Sequence, residues 1–241
     1  MDTETWDGDD SAMDNTNPSR KEESNCMSPA LAKMIVFGYI KGLIRMGRLE
    51  MAGKTLDEIE KESLFIMIAN REKVGRTHQI THADDLLTEA RGYAATGRPE
   101  FALIFYTTWF EHWLNGMYQW ACARAGLDHA ATERLIRTTN LDSKTDQMWM
   151  STFHNEFPAD AREALLRVAK ARNEFVHYKW PVQYWDDPVG TAMPSELIES
   201  AETTVAALIK VEDEMMFDGR YNLLARHFGV STDEDVAGGS G

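Results

Sequence analysis

The chain has 241 residues and a formal net charge of −14, with 39 acidic and 25 basic side chains. This length suffices for one sizeable hydrophobic core, alone or with an appended module, and the acidic balance argues against a strong basic field for nucleic acid. Two cysteines, Cys26 and Cys122, are too few for a disulfide framework. Without a secretory signal, the expected location is the cytoplasm.

The first predicted segment, residues 1–27, is polar, acidic and nearly devoid of aliphatic side chains. Such a composition cannot bury enough apolar surface to fold, so we expect disorder here. Residues 231–241 have a similar composition and are expected to form a flexible acidic tail, preceded by a short helix within residues 219–241. Most of the net charge therefore lies outside the expected folded body.

The second segment, residues 28–80, is predicted to be an N-terminal helical extension. Ser28 is the expected N-cap of its first helix and Pro29 the first helical residue. Apolar residues then recur at helical spacing, namely Met34, Phe37, Ile40, Leu43 and Ile44. The helix is too short and too interrupted by lysine to span a membrane, so we expect no membrane partner. A second helix is predicted over residues 55–73, and residues 28–75 could contact a protein partner.

The third segment, residues 81–218, is predicted to be a helical bundle. Helices are expected at about residues 83–96, 99–126, 129–138, 160–180 and 194–217, and residues 139–158 are left uncertain. The helix over 99–126 is apolar almost all round and should be central and buried. Asp160 with Glu163 resembles a capping box. No alternating strand pattern competes, so the chain is predicted to be all-α.

Three polar residues interrupt the apolar stripe of the helix predicted from residue 160. The stripe that contains Leu165 and Val168 also contains Arg172, and Asn173 and His177 lie on the neighbouring stripe. A structural explanation is available, in which Arg172 pairs with a buried acid and His177 is favourable at a helix C-terminus. The spacing alone favours that explanation.

The stretch RNEFVH, however, resembles the R-x4-6-H motif of HEPN domains, with Arg172, Asn173 and His177 at the motif positions. The resemblance covers the bundle of residues 81–218 and leaves the first 80 residues outside. It implies an antiparallel helical bundle that forms a homodimer or a higher even oligomer. It further implies a metal-independent endoribonuclease without a cofactor, of the kind found among toxins and antiviral-defence effectors.

The resemblance also implies an acidic or polar residue on an upstream helix that faces the motif. Glu111 is the best match and His112 a weaker one. In this reading His177 is the general base or acid and Arg172 holds the phosphate. Asn173 orients the imidazole and Glu111 holds Arg172, while two motifs meet across a two-fold axis.

Aromatic and basic residues directly after the motif are the predicted RNA contacts: Tyr178, Lys179 and Trp180. Trp109, Trp113 and Trp120 are expected in the core. His78 and His82 lack a third metal ligand nearby in sequence, and a solvated connector is the favoured interpretation. The alternative function is a non-catalytic HEPN-like module that binds a partner or nucleotide and assembles larger complexes, which the acidic balance favours.

Overall fold

The computed structural model describes residues 28–70, 83–177 and 194–230, and all regular secondary structure in these ranges is helical. The all-α prediction is therefore confirmed for this part of the chain. The helices are α1 (Pro29–Arg45), α2 (Leu56–Ala69), α3 (Ala83–Ala95), α4 (Pro99–Arg124), α5 (His129–Thr138), α6 (Leu141–Lys144), α7 (Gln147–Phe153), α8 (Ala159–Val176), α9 (Pro194–Phe217) and α10 (Tyr221–His227).

Helix α4 is the central element, as the sequence predicts. Tyr106, Phe110, Leu114 and Tyr118 along its length are fully buried. Helix α3 packs against its first turns, where Tyr93 stacks on Phe101 at 5.5 Å between ring centroids. Because apolar side chains point from α4 in nearly every direction, the other helices can surround it.

Helix α8 runs antiparallel to α4, and this arrangement fixes the level of the motif. Near the end of α8, Phe175 meets Phe101 at the start of α4, with ring centroids 6.0 Å apart. Just before α8 begins, Phe157 packs on Trp149 at 4.8 Å, and Trp149 stacks on Trp113 in the second half of α4 at 5.9 Å. The C-terminal end of α8 therefore lies beside the N-terminal end of α4.

Helix α9 runs parallel to α4. The Tyr106 hydroxyl donates a hydrogen bond to Glu202 in the first half of α9. One to two turns further along α4, the Trp113 indole donates to Glu212, 3.1 Å away. The start of α9 thus shares an end of the bundle with the start of α4 and the end of α8.

Helices α1 and α2 contribute to the same hydrophobic core as the bundle, through Phe37, Ile40, Leu43, Ile44 and Ile59. The end of α1 is attached to the far end of α4, where the Arg124 guanidinium donates to the carbonyls of Ile44 and Arg45, each at 2.8 Å. The segment predicted as an extension is consequently packed onto the bundle at the end opposite the start of α4.

Helix α10 packs on α1 around Phe37. The Phe37 ring meets Tyr221 at the start of α10 at 5.9 Å and Phe228 just after its end at 6.1 Å between ring centroids. Tyr221 also accepts a hydrogen bond from Lys41 of α1 at 3.2 Å. Both ends of α10 therefore contact the same part of α1.

The same helix runs parallel to α2. Arg220 donates to the carbonyl of Lys54, just before α2, at 2.8 Å, while His227 meets Glu60 within α2 at 2.9 Å.

The structure corrects several details of the predicted helices. Ser28 caps α1 as predicted, accepting a hydrogen bond from the Leu31 amide at 3.2 Å. The Asp160 capping box is wrong, because the N-cap of α8 is Pro158, two residues before Asp160, and no side chain caps the helix. Met34, predicted on the buried stripe of α1, is 59% exposed. The uncertain segment contains the short helices α6 and α7.

None of the described helices combines the length and apolarity needed to cross a membrane. Residues 1–27 and the tail after residue 230 lie outside the described residues, so their disorder stays a prediction. The cytoplasmic location stays a prediction.

Candidate functional site

The motif lies at the C-terminal end of α8, where the helix stops before the predicted boundary at Pro181. Val176 is the last helical residue and His177 is the C-cap, with its amide donating to the Asn173 carbonyl at 3.0 Å. The side chains of Asn173 and His177 are exposed. The structure therefore presents the predicted general acid–base group to solvent at the end of the helix.

Arg172 is half-buried beside this exposed end. Its Nη1 donates a hydrogen bond to Asn173 Oδ1 at 2.9 Å. Its Nε is buried and has no hydrogen-bond partner among the described residues. Arg45, Arg162 and Arg220 also have a buried Nε without a described partner, so this feature does not distinguish Arg172. What distinguishes it is the hydrogen bond to Asn173 beside His177.

Asn173 contacts Arg172, whereas the sequence analysis assigned it to the imidazole of His177. A side chain at position 173 is four residues from 177, so both still lie on one side of the helix. In the described structure the amide oxygen is used to hold the guanidinium. The assignment of Asn173 to His177 stays a prediction.

Positions 172 and 177 are separated on α8 by a rotation of roughly 140° and a rise of about 7.5 Å in an ideal helix. The Arg172 guanidinium nevertheless donates to Asn173, and position 173 shares a side of α8 with His177. The long arginine side chain therefore turns toward the side of the helix that carries His177.

Glu111 lies in a different part of the bundle from Arg172. Glu111 is exposed, and it interacts electrostatically with Lys144. Burial lowers the pKa of Lys144, and the negative charge of Glu111 partly opposes this effect. Since Phe175 is level with Phe101, Arg172 is level with about the first turn and a half of α4. Glu111 is then about 10 Å further along the axis, at 1.5 Å per residue. The neighbouring His112 is also exposed.

The sequence analysis did not identify a cation–π contact next to the motif, between Arg98 and the rings of Tyr93 and Phe101. The Arg98 guanidinium lies 4.1 Å above the Phe101 ring and 5.2 Å from the Tyr93 ring. Phe101 in turn meets Phe175 edge-on at 6.0 Å. An exposed cation on an aromatic face is a good surface for a phosphate with an adjacent base. The signal was the sequence RPEF at the start of α4, which places Arg98 and Phe101 on one side of the first turn.

Two further groups of polar residues lie away from the motif. The potential ligand atoms of Asp57, Glu60 and His227 are within 4.8 Å of one another, and His227 Nε2 lies 2.9 Å from Glu60 Oε2. A divalent cation could use such donors, and the hydrogen bond joins two of the three residues. A cavity of about 250 Å³ lies among the α1–α2 connection and the C-terminal ends of α4 and α9, with Glu50 and Arg124 in its wall.

The predicted core position of two tryptophans is confirmed, since Trp109 and Trp113 are 3% and 8% exposed; Trp120 is partly buried against the core. The predicted RNA contacts Tyr178, Lys179 and Trp180 lie outside the described residues, as do His78 and His82.

Comparison with known proteins gives no family assignment, because no family model, no curated protein and no solved structure matches this chain.

Proposed function

We propose that the protein is a metal-independent endoribonuclease whose active site combines Arg172 of one chain with His177 of a second copy. The observation that carries this proposal is a half-buried guanidinium of Arg172, held by Asn173, beside an exposed His177 at the end of α8. A guanidinium held in this way can bind a phosphate through its remaining N–H groups.

The chemistry requires few groups. The 2′-hydroxyl of RNA attacks the adjacent phosphate, with its proton passing to a base, and the 5′-oxygen of the next nucleotide leaves after receiving a proton. A histidine titrates near neutral pH and can perform either proton transfer. The planar guanidinium stabilises the charge that develops on the phosphate oxygens. His177 and Arg172 are assigned these roles.

A second copy belongs to the proposal because the resemblance implies that two motifs meet across a two-fold axis. Positions 172 and 177 of one chain are separated by roughly 140° around an ideal helix. In a two-fold pair of α8 ends, the His177 of each chain approaches the Arg172 of the other. Two equivalent sites result, and each is incomplete in a single chain. This arrangement is the homodimer that the resemblance implies.

Substrate positioning is assigned to the groups next to the motif. The Arg98 guanidinium on Phe101 binds a neighbouring phosphate and base. Tyr178, Lys179 and Trp180, which follow His177 directly in the sequence, are assigned as further RNA contacts. Glu111 is not needed in this arrangement. A role as a toxin or antiviral-defence effector is the biological class that the resemblance implies.

The test is RNA cleavage by the purified full chain in the presence of EDTA. His177→Ala and Arg172→Ala should each lower the cleavage rate by about 10²–10⁴-fold. Arg172→Lys should also fail, because an ammonium does not reproduce the fork. Lys170→Ala is the matched control, since Lys170 is an exposed cation on the same helix whose described contact is Glu174 at 4.0 Å.

Mixing the two inactive variants tests the shared site. A heterodimer of Arg172→Ala and His177→Ala keeps one site with both groups intact and one site with neither. Random exchange should therefore restore about a quarter of the wild-type activity. A fully active His177→Ala protein would overturn the proposal, and cleavage without any recovery on mixing would overturn the shared site.

A second candidate is a non-catalytic module that binds RNA or a partner through the same end of the bundle. The net charge of −14 favours this candidate over a nuclease. In that case the wild type would bind RNA without cleaving it, and Arg172→Ala would weaken binding while His177→Ala would not.

A further inference from the structure

Three residues of metal-ligating types meet where the start of α2 lies beside the end of α10. Asp57 and Glu60 are three residues apart on α2, so they lie on one side of that helix. His227 is the last residue of α10. We call these three residues the α2–α10 site. Their potential ligand atoms all lie within 4.8 Å of one another.

The geometry of the α2–α10 site is close to that of ligands around one ion. Bonds from zinc to an imidazole nitrogen or a carboxylate oxygen are about 2.0–2.2 Å long, so neighbouring ligand atoms of one ion are about 3.0–3.5 Å apart. His227 Nε2 and Glu60 Oε2 are already 2.9 Å apart. A change in the side-chain torsions of Asp57 can move its carboxylate by the remaining distance of about 1–2 Å.

The hydrogen bond between Glu60 and His227 does not explain the third residue. It joins Nε2 to one carboxylate oxygen and leaves Asp57 outside the pair. The Asp57 side chain has no hydrogen-bond or ion-pair partner among the described residues. Two carboxylates this close repel each other, and a protonated imidazole neutralises only one of them. A divalent cation with a neutral imidazole neutralises both.

The ligand types select the class of metal. One imidazole nitrogen with two carboxylates suits Zn²⁺ and related first-row ions, whereas Ca²⁺ and Mg²⁺ prefer oxygen ligands. The side chains of His227 and Glu60 are 24% and 39% exposed, so an ion can enter from solvent. Three protein ligands also leave coordination positions for water.

We propose that the α2–α10 site binds a divalent transition-metal ion of the zinc type, with Asp57, Glu60 and His227 as ligands and water in the remaining positions. The ion attaches the end of α10 to α2. The start of α10 is attached already, because the Arg220 guanidinium donates to the carbonyls of Met51 and Lys54 just before α2. With the ion bound, α10 is held at both of its ends.

This role is structural, and it is independent of the proposed function. The α2–α10 site contains no residue of the motif on α8, and the proposed RNA chemistry uses no metal. EDTA removes the ion without altering Arg172 or His177. Zinc binding and RNA cleavage in EDTA therefore test separate statements, and either can fail without the other.

The test is zinc binding to the untagged full chain after treatment with EDTA and removal of the chelator. Calorimetric titration with zinc chloride should give one ion per chain with a dissociation constant in the micromolar range. Zinc at 100 times that constant should raise the melting temperature by about 5–10 °C. Magnesium and calcium chloride at the same concentration should leave the melting temperature unchanged.

Asp57→Asn is the most informative variant because it leaves the Glu60–His227 hydrogen bond in place. It should weaken zinc binding by at least about 10–100-fold, the loss that follows even when a group that only supports a ligand is removed. Its melting temperature without metal should stay close to that of the wild type. His227→Ala should abolish binding, and its metal-free melting is measured separately because it also removes the contact with Glu60.

Two controls address the other histidines. His129→Ala removes an exposed histidine at the start of α5 and should leave zinc binding unchanged. The double variant His78→Ala with His82→Ala removes the two histidines that are four apart in the sequence, and it should also bind zinc as the wild type does.

Zinc affinity that is unchanged in Asp57→Asn would overturn the three-ligand site, as would unchanged affinity in His227→Ala. Loss of binding in the His78 and His82 double variant would place the ion elsewhere and overturn the inference. A chain that binds no zinc at millimolar concentration would show that Glu60 and His227 form a hydrogen-bonded pair only. Tighter binding of calcium or magnesium than of zinc would overturn the assigned class of metal.

Discussion

The ion pair between Arg45 and Glu212 allows a quantitative prediction about how α1 is attached to the bundle. The two side chains are 20% and 15% exposed, and Glu212 also accepts the Trp113 indole hydrogen bond at 3.1 Å. One carboxylate therefore connects α1, α4 and α9. Replacing it by alanine removes the acceptor and leaves a largely buried guanidinium and an indole N–H without a partner.

The expected cost of Glu212→Ala follows from these burials. Breaking a buried ion pair costs about 3–5 kcal/mol, and a lost neutral hydrogen bond about 1 kcal/mol. Because both charged groups keep some contact with water, we expect the lower value, about 3 kcal/mol. For a chain of this size that corresponds to a fall in melting temperature of roughly 6–12 °C.

The assay is thermal and urea unfolding, followed by far-UV circular dichroism and by tryptophan fluorescence. Glu214→Ala is the matched control, since its side chain is 62% exposed and pairs with Lys210 at 3.7 Å; it should change stability by less than about 0.5 kcal/mol. Replacing the pair together, Arg45→Met with Glu212→Leu, should recover most of the loss. A Glu212→Ala protein as stable as Glu214→Ala would refute the reasoning.

Two further predictions concern stability away from the site. Burial raises the pKa of Glu202, but hydrogen bonds from Arg91 and Tyr106 outweigh this effect and hold the pKa below the usual 4.5. The stability that Glu202 contributes is therefore complete above pH 4.5 and is lost as the pH falls through the lower pKa of the folded state. The urea midpoint of Glu202→Gln should accordingly depend less on pH below about 5 than that of the wild type. Gly126 has φ +76°, a backbone conformation that costs an alanine energy, so Gly126→Ala should lower the free energy of unfolding by about 1–2 kcal/mol. Gly92 lies within a helix and an added Cβ would meet no heavy atom, so Gly92→Ala should raise it by about 0.5–1 kcal/mol. The same urea assay measures both variants, and equal effects would contradict this reasoning.

Long helices with continuous periodicity were predictable, and short ones were not. The central α4 runs from Pro99 to Arg124 close to its predicted limits, because proline and Gly126 mark its ends. Helices α6 and α7 have four and seven residues, too few for a period to appear. Their positions depend on a buried Trp149, which is a tertiary contact.

The start of α8 shows how a local signal is misread. Asp160 and Glu163 have the spacing of a capping box, but Pro158 with its fixed φ allows the helix to begin at Ala159. Asp160 then lies in the first turn, where an acid is still favourable. In α2 the reverse occurred, since Thr55 and Glu58 form a capping box that the sequence analysis did not identify.

The composition of the candidate site was predictable, but its geometry was not. The motif residues could be placed at the end of a helix from periodicity alone. Whether Glu111 reaches Arg172 depends on the register between α4 and α8, which the contact of Phe101 with Phe175 fixes. That contact joins residues far apart in sequence, so no local pattern specifies it. The exposure of Met34 likewise depends on what covers α1.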